Sequence, residues 1–223
     1  MTNIYVVRHC EAMGNAKRVF QGMSDFDISD MGSKQLTCLS ERFRNLPLDC
    51  VYTSPLLRAK KTALAIIGNR DIESIVDIGL REIDVGILEG KPISESFARH
   101  PALAEAWTNH PQDFAPQKGE PMREAYDRIW NTVCTIAVQN PGKTVACASH
   151  GGVIRCLTCR LLYGDIAFLK NTPWSENTSV MLLQFHDHQK LPRIVFSEDV
   201  SHLPNELLPK RSRILNLVGE KQL

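Results

Sequence analysis

"TVACASHGGVIRCLTCRLLYG", residues 144–164, changes its period in the middle. Residues 144–149 are an apolar run of strand length. His150-Gly151-Gly152 then opens a segment that reads as a helix, with Gly164 placed to end it. A strand that runs straight into a helix is the building unit of α/β folds. Upstream, "IYVV" (4–7) reads as a short buried strand ending at Arg8-His9. "CVYT" (50–53) is a second strand and leads at once into "SPLLRAKKTALAII" (54–67). In that helix Ser54 is expected as N-cap and Pro55 at the first helical position, where its missing N–H is harmless.

The remaining elements follow the same alternation. "SIVDIG" (74–79), "SVMLLQF" (179–185) and "RIVFSE" (193–198) are further strands. Leu36, Leu39 and Phe43 recur at helical spacing after a cap at Ser29 or Asp30, and Ala125, Ile129, Val133 and Ile136 mark a long amphipathic helix. Between them, residues 86–121 are broken by Pro92, Pro101, Pro111, Pro116 and Pro121 around Phe97, Trp107 and Phe114, as expected of a cap or excursion. The expected architecture is α/β: a three-layer α/β/α sandwich with a mainly parallel central sheet and a small helical cap, in one domain over 1–223.

Composition bounds the partners. The 223 residues are 43% hydrophobic, enough for a sizeable core, and the net charge of +1 leaves no broad basic face for nucleic acid. Any anion site must therefore be local. The N-terminal apolar run is interrupted by Arg8, and no stretch has spanning length, so no membrane partner and a cytoplasmic setting are expected. Seven cysteines, mostly in apolar runs, read as reduced thiols. The C-x-x-C pair Cys156–Cys159 lacks a second pair for zinc and is expected on the inner face of a helix. No metal and no cofactor are expected. The tail "PKRSRILNLVGEKQL" (209–223) is expected to be a packed or frayed terminus without a function of its own.

Three segments fall at equivalent places: Arg8-His9 after the first strand, Thr53-Ser54 and Arg58 after the second, and Ser149-His150-Gly151-Gly152 after "TVACA". If those strands are parallel neighbours, two histidines and two arginines meet at one end of the sheet. Helix N-termini there add partial positive charge, and the glycine pair lets backbone approach a ligand. This combination describes a phosphate site built without a P-loop.

The same blocks resemble the histidine phosphatase superfamily, in the branch named after cofactor-dependent phosphoglycerate mutase. That family's Arg-His-Gly-Glu is matched by "RHCE" (8–11), and its Ser-Pro-x-x-Arg-Ala-x-x-Thr-Ala by "SPLLRAKKTA" (54–63). Its Leu-x-Glu followed by Gly-x-x-Glu-Gly is matched by "LREIDVGILEG" (80–90), and its Ser-His-Gly-Gly-x-Ile-Arg by "SHGGVIR" (149–155). "ENTSVMLLQF" (176–185) and "DVSHLP" (199–204) are also similar. The resemblance implies a phosphoglycerate mutase-like fold and assigns roles. His9 is the nucleophile, Arg8, Arg58 and His150 hold the phosphoryl oxygens, and Glu82 is the acid. Asn15, Gln21, Gly22 and Gly151 line the substrate site.

The chemistry of these residue types agrees with those roles. Fixed cations stabilise the charge spread over a transferring phosphoryl group. A neutral imidazole is a competent nucleophile, and cations beside it favour the neutral form. A carboxyl group can protonate the leaving oxygen and then activate water. Plainer roles stand beside these: Glu82 paired with Arg81, His150 capping its own helix, Asn15 shaping a turn. Cys10 replaces the family's glycine, and its thiol is either ionised by the cations or shielded and passive. The mutases' Arg-x-Tyr-Gly element is replaced by Asp84-Val85-Gly86, and the excursion is short, which resembles the phosphatase members. The expected function is a metal-independent phosphomonoester phosphatase acting on a small phosphorylated substrate through a phosphohistidine on His9. The alternatives are a phosphoglycerate-type mutase and a non-catalytic phosphate-binding module. A homodimer is compatible with all three.

Overall fold

The computed structural model describes residues 1–186 and 191–208; the tail at 209–223 lies outside the described residues. In chain order the elements are β1 (Thr2–Arg8), α1 (Met13–Ala16), α2 (Asp30–Phe43), β2 (Cys50–Thr53), α3 (Leu57–Ile67) and β3 (Glu73–Val76). They continue as α4 (Ile93–Arg99), α5 (Pro101–Asn109), α6 (Met122–Gln139), β4 (Thr144–Ser149), α7 (Gly151–Tyr163), β5 (Val180–Phe185) and β6 (Arg193–Asp199).

The six strands form one sheet in the order β3-β2-β4-β1-β5-β6. β1, β2, β3 and β4 pair in parallel, while β5 is antiparallel to both of its neighbours. The side-chain period of two divides the strands between two cores. Ile4, Val6, Tyr52, Val145, Cys147 and Leu183 face one way, onto α6 and α7. Val7, Val51, Ala146, Ala148 and Val180 face the other way, onto Leu39 and Phe43 of α2 and Ala59, Ala63 and Ile66 of α3. The result is the expected α/β/α sandwich. Ala125, Ile129, Val133 and Ile136 of α6 are all fully buried, in keeping with their spacing. Among the described residues no helix is long and apolar enough to cross a membrane.

Local details differ from expectation in three places. The third strand ends at Val76, because Asp77 turns the chain: its Oδ1 accepts from the Gly79 N–H at 2.8 Å and starts a short 3-10 turn at Ile78–Leu80. The helix after β2 begins at Leu57 with Leu56 as N-cap, so Pro55 precedes it. Ser54 instead supports the turn before the helix, its Oγ accepting from the Leu56 N–H at 3.3 Å. The proline-rich excursion is more than a cap: it sends Leu88 and Phe114, both fully buried, into the α6–α7 core. Its aromatic rings pack on one another, with Trp107 edge-on to Phe114 at 4.8 Å and to Phe20 at 5.5 Å. Ser29 caps α2 and Gly164 ends α7 in the left-handed conformation at φ +71°, both as expected.

Candidate active site

Strand register brings the three segments together. Arg8 is the register partner of Ser149, and Thr53 is the partner of Ala148, so the carboxyl ends of β1, β4 and β2 lie side by side. The chain leaves all three strands at one level, with His9 N–H donating to Ser149 O at 2.9 Å and Ser54 N–H to Ala148 O at 3.0 Å. Ligand sites in such sheets lie at this edge. His9 and His150 come within 5.1 Å between ring centroids, and both are buried.

His9 has a defined tautomer. Its Nδ1 lies 2.6 Å from the carbonyl oxygen of Cys10. A carbonyl only accepts, so Nδ1 carries the hydrogen and Nε2 presents its lone pair. The residue is held from behind by Asn177, whose Nδ2 donates to His9 O at 2.9 Å. Burial, then Arg58 and Arg8, hold the imidazole well below its ordinary value, so it is neutral near pH 7. Burial and the same arginines hold His150 neutral as well. Its Nε2 is 2.7 Å from Ser54 Oγ, while its Nδ1 is buried with no partner. Ser54 already accepts from Leu56 N–H; with its hydroxyl donating to Nε2, Nδ1 carries a hydrogen that is free to donate.

The arginines complete a set of unpaired donors. Arg8 Nη1 donates to Ser175 O, and Gly151 leaves room for the guanidinium: a Cβ there would lie 3.1 Å from Arg8 Cζ. Arg58 is fully buried, and its Nη atoms hold the carbonyls of Gln21, Gly22 and Ser24, each at 2.9 Å. In both arginines Nε is buried without a partner. Buried donors are paired in nearly all folded proteins. Arg8 Nε, Arg58 Nε and His150 Nδ1 therefore form a cluster suited to an anion.

Glu82 is not paired with Arg81. Its carboxylate lies across the start of α7, where Oε2 accepts from Gly152 N–H at 3.0 Å and Oε1 from Val153 N–H at 3.2 Å and Ile83 N–H at 2.9 Å. Arg81 goes instead to Glu120 at 3.0 Å. His150 does not cap its own helix with its side chain.

The other expected site residues are placed as follows. Asn15 Oδ1 accepts from Ala12 N–H at 3.0 Å, which shapes the turn into α1. Gln21 Oε1 is buried without a partner. Gly22 packs against the 83–89 segment, where a Cβ would lie 3.0 Å from Val85 N. Cys10 is fully buried, and burial pushes its thiol up to about 12, so it is the passive thiol. The seven cysteines are free, and Cys156 and Cys159 are buried on α7. Among the described residues no cluster of three His, Cys, Asp or Glu could hold a metal.

Four contributors went unassigned from sequence. Ser54 and Asn177 touch the histidines, Ser175 receives Arg8, and Glu89 pins the 23–24 loop. Glu89 accepts from Met23 N–H at 2.8 Å and Ser24 N–H at 3.0 Å. For Ser54, Glu89 and Asn177 the signal was present, since all three lie inside blocks that match the family.

The family model for the histidine phosphatase superfamily (branch 1) matches residues 4–197. Phosphoserine phosphatase 1 of Hydrogenobacter thermophilus is 30% identical over 167 residues, 75% of this chain and 79% of that protein. A probable phosphoglycerate mutase, GpmB of Salmonella typhi, is 30% identical over 216 residues, 96% of this chain and all of that protein. The solved structure of Bacillus stearothermophilus YhfR superposes with a TM-score of 0.86 at 30% identity, covering 91% of this chain and 99% of that one.

Proposed function

This chain belongs to branch 1 of the histidine phosphatase superfamily, and we propose that it hydrolyses small phosphomonoesters by passing the phosphoryl group through Nε2 of His9. One observation carries the proposal: a neutral histidine with Nδ1 tied to Cys10 O lies among three buried donors without partners. Nε2 attacks phosphorus. Arg8, Arg58 and His150 take the equatorial oxygens as charge spreads over them. Glu82 gives its proton to the leaving oxygen, then takes one from the water that resolves the phosphohistidine. Gly151 lets Arg8 lie over the start of α7, and the Asn15 and Gln21-Gly22 turns face the substrate. The whole described chain acts as one catalytic domain. Free, largely buried thiols suit a reducing compartment, which supports a cytoplasmic setting.

The mutase reading is favoured by the full-length match to the probable phosphoglycerate mutase. Both readings share the first step and differ in the second. The test is purified protein in EDTA with a panel of phosphomonoesters, 3-phosphoglycerate with its bisphosphate included, comparing wild type with His9→Ala. Inorganic phosphate released by wild type and abolished in His9→Ala is the expected result. Isomerised phosphoglycerate without net phosphate release would establish the mutase, and full activity in His9→Ala would overturn both.

A further inference from the structure

Glu82 sits in a stretch with no regular secondary structure, yet its carboxylate meets three backbone N–H groups. Something outside the stretch must set it there. Arg128 of α6 spends every N–H on this task. Nη1 donates to Gly79 O at 2.7 Å and Arg81 O at 2.9 Å, and Nη2 reaches Glu82 O at 3.4 Å. The other side of its fork is closed by Glu120, with Nε to Oε1 at 2.7 Å and Nη2 to Oε2 at 2.6 Å. Glu120 is buried at the end of the excursion, and its N–H is fixed to Asp84 O at 2.8 Å. The same carboxylate takes Arg81.

Arg81 is the immediate neighbour of Glu82 and a mobile cation if unpaired. Resting on the phosphatase reading, we propose that Glu120 and Arg128 are positioning residues. Arg128 clamps the backbone from Gly79 to Glu82, and Glu120 captures Arg81 and holds Asp84 O beyond it, which together keep the Glu82 carboxyl at the mouth of α7 as a proton carrier. The charged and titratable groups facing Glu82 from other elements are Arg8 at the end of β1, Arg58 on α3, Arg128 on α6 and the Cys156 thiol on α7, which burial keeps protonated.

Glu120→Gln removes the charged partner of Arg81 and loosens the fork of Arg128. Arg81 is then free to draw the neighbouring Glu82 carboxyl off the start of α7, away from the leaving oxygen. The test is rapid-mixing kinetics of the full chain with an alkyl phosphate and a nitrophenyl phosphate, for Glu120→Gln and for Arg81→Gln/Glu120→Gln. Glu120→Gln should slow the alkyl phosphate about 10–100-fold, part of the ~10²–10⁴ that a general acid supplies. The nitrophenyl first step should change only a few-fold. Removing Arg81 as well should recover part of the alkyl rate, the rest staying lost with the loosened Arg128 clamp. Equal slowing of both substrates, or a double variant no better than the single one, would overturn the proposal. A melting curve accompanies each variant. If Glu120→Gln does not fold, Glu120→Asp with and without Arg81→Gln carries the same comparison. Failure to trap a phosphohistidine on wild type would instead contradict the phosphohistidine reading.

Discussion

Replacing Glu82 by Gln separates two jobs of one carboxylate. The structure gives it three N–H donors: Ile83 and Val153 on Oε1, Gly152 on Oε2. A glutamine keeps one carbonyl oxygen, which can stay with Ile83 and Val153. Its NH₂ then points at the Gly152 N–H, donor against donor. One buried donor goes unpaired, at about 1–3 kcal/mol. The negative charge at the start of α7 is also lost, about 0.3–1 kcal/mol more. At about 2–4 °C per kcal/mol for a chain of this size, the melting temperature should fall by roughly 3–15 °C. The kinetic effect depends on the leaving group. An alkyl phosphate leaves as a basic alkoxide and should slow about 10²–10⁴-fold. A nitrophenolate needs little help, so its first step should survive and a burst should appear as hydrolysis of the phosphoenzyme becomes limiting. Differential scanning calorimetry and rapid-mixing kinetics read the two effects separately. Equal slowing of both first steps would refute the proton-donor role, and an unchanged melting temperature would refute the cap.

Other expectations follow from burial. His9 and His150 are held well below the ordinary histidine value, and burial pushes His202 down to about 4. The unfolded chain takes up those protons below about pH 6.5, so their contribution is complete above that pH and falls as pH drops, by up to about 1.4 kcal/mol per pH unit for each group. Melting temperature should therefore decline from pH 7 to pH 5, and a rise would contradict the neutral assignment. Gly151→Ala puts a methyl 3.1 Å from Arg8 Cζ and should raise KM or lower kcat/KM for every phosphomonoester, while Gly142→Ala, a control at an exposed glycine with φ +78°, should alter melting and not catalysis. Native iodoacetamide labelling read by mass spectrometry should leave Cys10 unmodified; rapid labelling there would show an exposed, ionised thiol.

The layers of the fold were legible because they depend on local pattern. Short apolar runs of strand length and the stripe Ala125, Ile129, Val133, Ile136 mark the elements, and short connections leave few ways to stack them. The positions of Arg8, His9, Arg58 and His150 at strand ends were legible for the same reason. Partnerships were not. Arg81 stands next to Glu82, yet its carboxylate is Glu120, distant in sequence, because the 79–82 backbone is clamped by α6. Ser54 has the composition of a cap, but β2 ends so close to His150 that the hydroxyl serves the histidine. The tautomer of His9 depends on a backbone carbonyl, which no side-chain pattern encodes.

The most direct test of the account is the position of phosphorus on the trapped enzyme. Mixing the protein with a nitrophenyl phosphate, quenching without acid and reading the adduct by mass spectrometry and ³¹P NMR locates both the residue and the ring atom. With Nδ1 bonded to Cys10 O, the phosphoryl group is predicted on Nε2 of His9, and His9→Ala should carry none. Phosphate on Nδ1, on another residue, or retained in His9→Ala would contradict the account.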